Sequence, residues 1–194
     1  MLESERLKLV ALEKDDSALF AKWETAPAVQ KYFFANPYSL PQPERDAELY
    51  DWWLEEMAKS KCAIYKAVLK RDPARRRSKE RPVGLCGWHE RGEIPGRYEL
   101  WLYIGEEKLL GRGLGTEMIK VLTRSLFECY AAHTVMLCFY SYNQRGRKCY
   151  LEKCGFTHEG RRREAVLWQG RFYDMEYASV TLEEYRALKA KGVY

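Results

Sequence analysis

The spacing of hydrophobic and polar residues changes period several times along the chain, and each change marks an element. Arg6 to Leu12 alternates loosely and predicts a short first strand; Lys14-Asp15-Asp16-Ser17 then supplies capping chemistry for a helix through Trp23. Pro37, Pro41 and Pro43 break the chain before a second predicted helix at about Glu44 to Lys59. Cys62 to Lys70 and Pro82 to Glu90 read as two strands, and Arg97 to Ile104 as a third. In the third, Tyr98, Leu100, Leu102 and Ile104 alternate with Glu99, Trp101 and Tyr103, so the two sets face opposite sides. A helix of roughly fifteen residues opens at Gly111 to Gly115, with Met118, Leu122, Leu126 and Tyr130, helped by Ile119 and Cys129, at helical spacing. Thr134 to Tyr140 is almost continuously apolar, which predicts a central strand covered on both faces. A helix at Gln144 to Lys153 is stopped by Gly155; strands near Phe156 to Arg163 and Arg171 to Val180 and a last helix at Leu182 to Lys189 complete the pattern. This order predicts a mixed α/β or α+β fold with one sheet flanked by helices.

With 194 residues, 46% of them hydrophobic and 31% charged, the chain suits one domain spanning residues 1–194 and excludes intrinsic disorder. Its longest apolar run, Val135 to Tyr140, falls far short of the ~18 residues of a membrane helix. The opening Met1-Leu2-Glu3-Ser4-Glu5-Arg6 has no basic n-region followed by an apolar one, so a cytoplasmic location is expected. Six cysteines without a C-x-x-C and three histidines give no metal-ligand spacing; Cys62, Cys86 and Cys138 sit in apolar runs as core residues. The net charge of +5 is concentrated: residues 71–81 hold six basic residues in eleven, and Arg145, Arg147 and Lys148 and then Arg161 to Arg163 form two more clusters. No RRM, KH, helix-turn-helix or zinc-finger pattern accompanies them, so the run at 71–81 is expected to be a solvated loop tip. The other clusters suit a phosphate-bearing cofactor.

The chemistry concentrates in Ile104-Gly105-Glu106-Glu107-Lys108-Leu109-Leu110-Gly111-Arg112-Gly113-Leu114-Gly115-Thr116-Glu117, a strand followed by a glycine-rich turn into a helix. Glycines there leave N–H groups unshielded at a helix N-terminus, a ready seat for a pyrophosphate. A Walker A loop would end in Gly-Lys-Ser/Thr, and a Rossmann fingerprint needs glycine where Thr116 stands; neither fits. The segment resembles the core motif Gln/Arg-x-x-Gly-x-Gly/Ala of the GNAT superfamily of acetyl-coenzyme A-dependent N-acetyltransferases, with Gly113 and Gly115 as the motif glycines and Leu110 in place of Gln or Arg. Asn143 to Phe156 is similar to the family's Asn-x-x-(small)-x-x-x-Tyr-x-Lys-x-Gly-Phe stretch. Gly170-Arg171-Phe172-Tyr173-Asp174 looks like the closing strand of the RimJ/RimL-like and polyamine-acetyltransferase-like branch.

The resemblance implies a mostly antiparallel twisted sheet and acetyl transfer from acetyl-coenzyme A directly to a primary amine, on a small molecule or a protein N-terminus, with no metal. It implies Glu99 as general base and Tyr150 as general acid. Leu102, Tyr103 and Ile104 would pair with the pantetheine, Leu110, Gly111, Arg112, Gly113, Leu114, Gly115 and Thr116 would hold the pyrophosphate, and Asn143 and Lys148 would add contacts, with Arg147 and Lys153 also near the phosphates. From Tyr150 to Gly155 the chain is one residue longer than the family pattern. One residue turns a helix by ~100°, so either the helix carries a local bulge or Tyr150 does not face the thioester. Phe20, Trp23, Tyr32, Phe33, Phe34, Tyr38, Tyr50, Trp52 and Trp53 gather where the family walls its acceptor site, and Asp51, Glu55, Asp174 and Glu176 could add negative charge, a setting for a cationic amine. Partners are then acetyl-coenzyme A and an amine, with a homodimer compatible, no membrane and no nucleic acid expected. Two other readings are a coenzyme A-binding regulatory module without activity and a basic RNA-associated protein.

Overall fold

The computed structural model describes residues 2–33, 55, 57, 62–72, 74, 78–92 and 94–194. Its strands are β1 (Leu2–Glu3), β2 (Leu7–Val10), β3 (Cys62–Leu69), β4 (Arg81–Glu90), β5 (Arg97–Ile104), β6 (Thr134–Tyr140), β7 (Thr157–Trp168) and β8 (Arg171–Thr181). They form one eight-stranded sheet in the order β1-β2-β3-β4-β5-β6-β8-β7. Every pairing is antiparallel except β5 with β6. The helices are α1 (Ser17–Glu24), α2 (Pro27–Tyr32), α3 (Leu114–Cys129), α4 (Gln144–Arg147), which runs on as a π turn over Lys148–Lys153, and α5 (Leu182–Ala190). The expected class holds. β1 and α2 are additions, and the helix expected at Glu44 to Lys59 lies outside the described residues apart from Glu55 and Met57, which are helical.

The alternation in β5 sets the two faces. Tyr98 and Leu100 pack with Met118, Ile119, Leu122 and Leu126 of α3 in the main core. Tyr103 and, beside it, Trp101 pack with Phe20, Trp23 and Val29 of α1 and α2 on the opposite face. The stripe on α3 ends one turn earlier than its spacing suggests: Cys129 is exposed and Tyr130 is 41% exposed, because Tyr130 is the C-cap, where the helix unwinds. β6 lies inside the sheet as expected, but only Val135, Leu137 and Phe139 are buried; Met136, Cys138 and Tyr140 are half-buried. The second face of β6 opens onto the cleft described below.

α1 is held over the sheet by a buried charge cluster that the hydrophobic pattern does not reveal. Lys66 Nζ in β3 donates to Asp16 Oδ2 at 2.6 Å and Oδ1 at 2.8 Å and to Glu13 Oε2 at 3.1 Å, just ahead of α1. Trp23 then lies across the end of β5, where Gly105 has no side chain and Trp23 Nε1 donates to Glu106 Oε1 at 3.2 Å. A Cβ on Gly105 would sit 2.1 Å from Trp23 Cδ2. Gly105→Ala should therefore destabilise the fold by about 1–3 kcal/mol, the usual penalty of overpacking, and shift Trp23 fluorescence. Parallel denaturant titrations of the two proteins measure this.

Candidate active site

β5 and β6 pair over only three residue pairs, Arg97 with Thr134, Tyr98 with Val135 and Glu99 with Met136. Past Glu99 the two strands part, while β5 stays paired to β4 as far as Ile104 and β6 to β8 as far as Tyr140. The gap between them is a cleft of two connected cavities. One, of about 340 Å³, is lined by Leu102, Tyr103, Ile104, Leu110, Gly111, Gly113, Gly115, Thr116, Asn143, Lys148 and Tyr150. The other, of about 210 Å³, holds Glu99, Trp101, Cys138 and Tyr140 together with Tyr32 and Phe33. Tyr32, Phe33, Leu102, Asn143 and Tyr150 line both.

The glycine turn enters α3 with Gly111 at φ +75° and Gly113 at φ +82°, left-handed conformations that cost other residues strain. Gly113 is the N-cap and no side chain caps the helix, so the first-turn N–H groups keep no intrahelical acceptor and remain available to a ligand. Gly115 faces Leu102, whose Cδ1 would lie 3.3 Å from an added Cβ. At two residues of the turn the side chain points away from the cleft. The Leu114 side chain is buried in the core at 3% exposure. Arg112 turns outward, its Nε donating to Lys108 O at 3.0 Å; both line a different concavity, on the far side of the turn. What Arg112 and Leu114 can offer the cleft is backbone.

Tyr150 faces the cleft, its ring 5.4 Å from that of Phe139. The extra residue before Gly155 is taken up by the π turn: Cys154 N donates to Cys149 O at 3.0 Å, five residues back, instead of the four of an α-helix. Of the two possibilities open in the sequence, the structure has the bulge. Asn143 caps α4 by accepting from Gly146 N at 2.9 Å. Gly146 must be small, since a Cβ there would lie 2.7 Å from Asn143 Nδ2 and 3.0 Å from the Tyr150 ring. Arg145, Lys148 and Lys153 line the cleft, whereas Arg147 does not; its guanidinium pairs with Glu176.

Glu99 lies where the strands part. Arg91 Nε is 2.6 Å and His89 Nε2 3.4 Å from its Oε2, and Cys138 Sγ donates to Oε1 at 3.4 Å. Burial favours the protonated carboxyl, but the bonds from His89 and Arg91 outweigh it and bring its pKa down to about 2. Burial and the neighbouring carboxylate push Cys138 up to about 12. Burial also raises the Tyr150 hydroxyl, so it stays protonated. The other carboxylates proposed for the acceptor side are engaged elsewhere: Asp174 pairs with Arg161 at 3.2 Å, Glu176 with Arg147 and His158, and Glu55 is exposed. Of the nine clustered aromatics, Tyr32 and Phe33 line the cleft and Phe20 and Trp23 are core; Phe34, Tyr38, Tyr50, Trp52 and Trp53, like Asp51, lie outside the described residues.

An eight-stranded sheet that opens between two parallel strands, with an uncapped glycine turn beside the opening, fits the family to which comparison assigns the chain: residues 6–157 match the acetyltransferase (GNAT) domain. The chain belongs to the GNAT acetyltransferase family. It is an acyltransferase. A relative, the SPbeta prophage-derived uncharacterized N-acetyltransferase YokL of Bacillus subtilis strain 168, is 24% identical over 181 residues, covering 93% of each chain. The spermidine N-acetyltransferase of Vibrio cholerae, solved in complex with CoA and spermine, superimposes with a TM-score of 0.76 at 21% identity, over 94% of this chain and 99% of that one. RimL, a ribosomal L7/L12 alpha-N-protein acetyltransferase solved with coenzyme A, gives 0.74 at 12% identity, over 93% and 97%. At these identities the solved structures share the fold with this GNAT chain.

Three features of this GNAT site carry no local sequence signal. First, the β1–β2 hairpin clasps the glycine turn from behind. Arg6 Nε donates to Glu117 Oε1 at 2.5 Å, Arg6 Nη2 to Arg112 O at 3.0 Å, and Ser4 Oγ to Glu117 Oε2 at 2.5 Å. Second, Cys149 in the cleft contacts Thr116 Oγ1 at 3.2 Å, and its neighbours Cys154 and Thr116 lower its pKa. Third, the pairing of Glu99 with Arg91 and His89 follows from strand register, His89 lying directly opposite Glu99.

The clasp predicts that Arg6→Gln raises the KM for acetyl-coenzyme A several-fold while kcat changes by less than about twofold, because it sets the turn and touches no reacting atom. Steady-state kinetics at saturating amine separates the two. The π turn predicts that deleting the exposed Glu152 restores α-helical spacing and leaves Tyr150 in the cleft. Thermal unfolding should then stay within about 4 °C of the parent, equivalent to roughly 1 kcal/mol, and turnover within tenfold.

Proposed function

We propose that the protein transfers acetyl from acetyl-coenzyme A directly to a cationic primary amine. The observation that carries this is the meeting of the two cavities at Leu102, Asn143 and Tyr150. A long cofactor laid past the glycine turn and an amine entering among aromatic rings would come together beside one tyrosine hydroxyl. The residues fit the cofactor: the left-handed glycines leave a cradle that side chains would fill, first-turn amides of α3 aim at it, and Arg145, Lys148 and Lys153 provide positive charge for phosphates. Bound acetyl-coenzyme A supplies the acetyl thioester.

The free edge of Trp101 to Ile104 would hold the cofactor's amides as an added strand and donate an N–H to the developing oxyanion. Glu99, ionised at every working pH, would draw the ammonium group into a cleft walled by Tyr32, Phe33, Trp101 and Tyr140, and would orient the water that carries its proton away. Tyr150, kept protonated by burial, would give its proton to the departing sulfur. Cys149 lines only the cavity at the glycine turn, not the one with Glu99, which supports transfer without an acetyl-cysteine. Two structural neighbours, a spermidine N-acetyltransferase and a ribosomal L7/L12 alpha-N-protein acetyltransferase, both act on amines and support the class. The alternative of an inactive coenzyme A-binding module loses the argument from helix register, since the π turn keeps Tyr150 in the cleft.

Coenzyme A release with a panel of amines tests the reading: cationic alkyl amines should turn over and carboxylated ones should not. On the best amine, Glu99→Gln should lose about 10²-fold near neutrality and regain part of it by pH 9 to 10, where more amine is already neutral. Tyr150→Phe should lose a similar factor at every pH. Wild-type activity in Glu99→Gln at pH 7 would remove Glu99 from the mechanism, and release with no amine in the panel would count against the whole assignment.

A further inference from the structure

We infer that a second, basic concavity on the far side of the glycine turn is a docking surface for the phosphate backbone of structured RNA. It has a volume of about 950 Å³, the largest of the three concavities described, and is separate from the cleft: no residue lines both. Six cations face it, Arg6, Lys70, Arg71, Lys79, Arg81 and Arg112, against two acids, Glu5 and Asp72. The expectation of a solvated loop tip at 71–81 rested on the run alone. The fold instead joins both ends of that run to the β1–β2 hairpin and the outward-turned Arg112.

Half of the six cations are committed to the protein. Arg6 is held by Glu117, Lys70 by Glu3 at 2.9 Å and by Ser4 O at 2.7 Å, and Arg112 by Lys108 O. Arg71, Lys79 and Arg81 are exposed and make no ion pair among the described residues. Like charges in one concavity repel, so a polyanion that neutralises them binds with release of its own counterions. Among the described residues the lining carries no aromatic ring, and its apolar members are Leu69, Leu109 and Leu114, of which Leu109 and Leu114 are core residues. Without a ring there is no platform for unstacked bases. That favours a duplex, read by its phosphates, over a single strand.

The test is fluorescence anisotropy of the full chain with a labelled RNA duplex of about 16 base pairs, from about 50 to 200 mM salt, with and without saturating acetyl-coenzyme A. Binding should weaken with salt and persist when the cofactor is bound. The variant Arg71→Gln/Lys79→Gln/Arg81→Gln should bind at least tenfold more weakly at the lowest salt and lower the slope of log affinity against log salt by about 2–3. It should melt at the parent's temperature and turn over the parent's amine at the parent's rate. A control with the same loss of charge elsewhere, Arg163→Gln/Arg186→Gln/Lys191→Gln, should bind RNA as the parent does. Equal weakening in the control would mean unlocalised charge attraction and overturn the proposal. So would displacement by acetyl-coenzyme A, which would assign the concavity to the cofactor's phosphates, or equal affinity for polyglutamate, which would point to an acidic protein. Absence of RNA binding at about 50 mM salt would end it outright.

Discussion

Everything at the cleft depends on β5 and β6 separating after three paired residues. Both strands go on, each held by its outer neighbour, so the peptide groups of Trp101 to Ile104 on the inner edge face a gap in the middle of a sheet. Backbone donors and acceptors in such a place must find partners in water or in a ligand. An edge at the rim of a sheet invites another strand, and one inside the sheet invites something as narrow as a strand. A flexible amide-bearing arm meets that requirement where a bulky heterocycle would not. The opening thus selects the shape of its ligand before any side chain does.

The opening is held from two sides. The main core locks α3 against β5, and the hairpin carrying Ser4 and Arg6 grips Glu117 one turn inside α3, which fixes the glycine turn at one mouth of the cleft. On the other face, Lys66 anchors the segment leading into α1, and Trp23 closes over Gly105, which brings Phe33 against Trp101 and Tyr103. A buried ion cluster is expensive in itself, and its value lies in specifying one placement of the helices that wall the cleft.

Patterns confined to one segment were legible in the sequence: the alternation in β5 put Glu99 and Leu102 on opposite faces, and three glycines in five residues marked a helix entry without a cap. Features that join distant segments were not. Nothing near Arg6 announces Glu117, 111 positions away, and nothing near His89 or Arg91 announces Glu99 until the strand register is known. The arginine after Gly146 looked like a phosphate ligand because charge has no direction in a sequence; the helix turns it to Glu176 while Lys148 faces the cleft. β6 read as buried on both faces because apolar residues that line a cleft are indistinguishable by letter from those in a core.

The charge on Glu99 limits how protons can move. A carboxylate whose bonds from His89 and Arg91 hold its pKa well below the usual range is a weak acceptor for the proton of an alkylammonium near ~10.4. In the proposed mechanism the proton therefore passes on to solvent rather than staying on Glu99. The same pairing with Arg91 and His89 keeps the carboxylate charged at working pH, with Arg91 and His89 on Oε2 and Cys138 of the cleft on Oε1. In the proposed mechanism, selection of a cationic acceptor and weak basicity at Glu99 both arise from this one ion cluster.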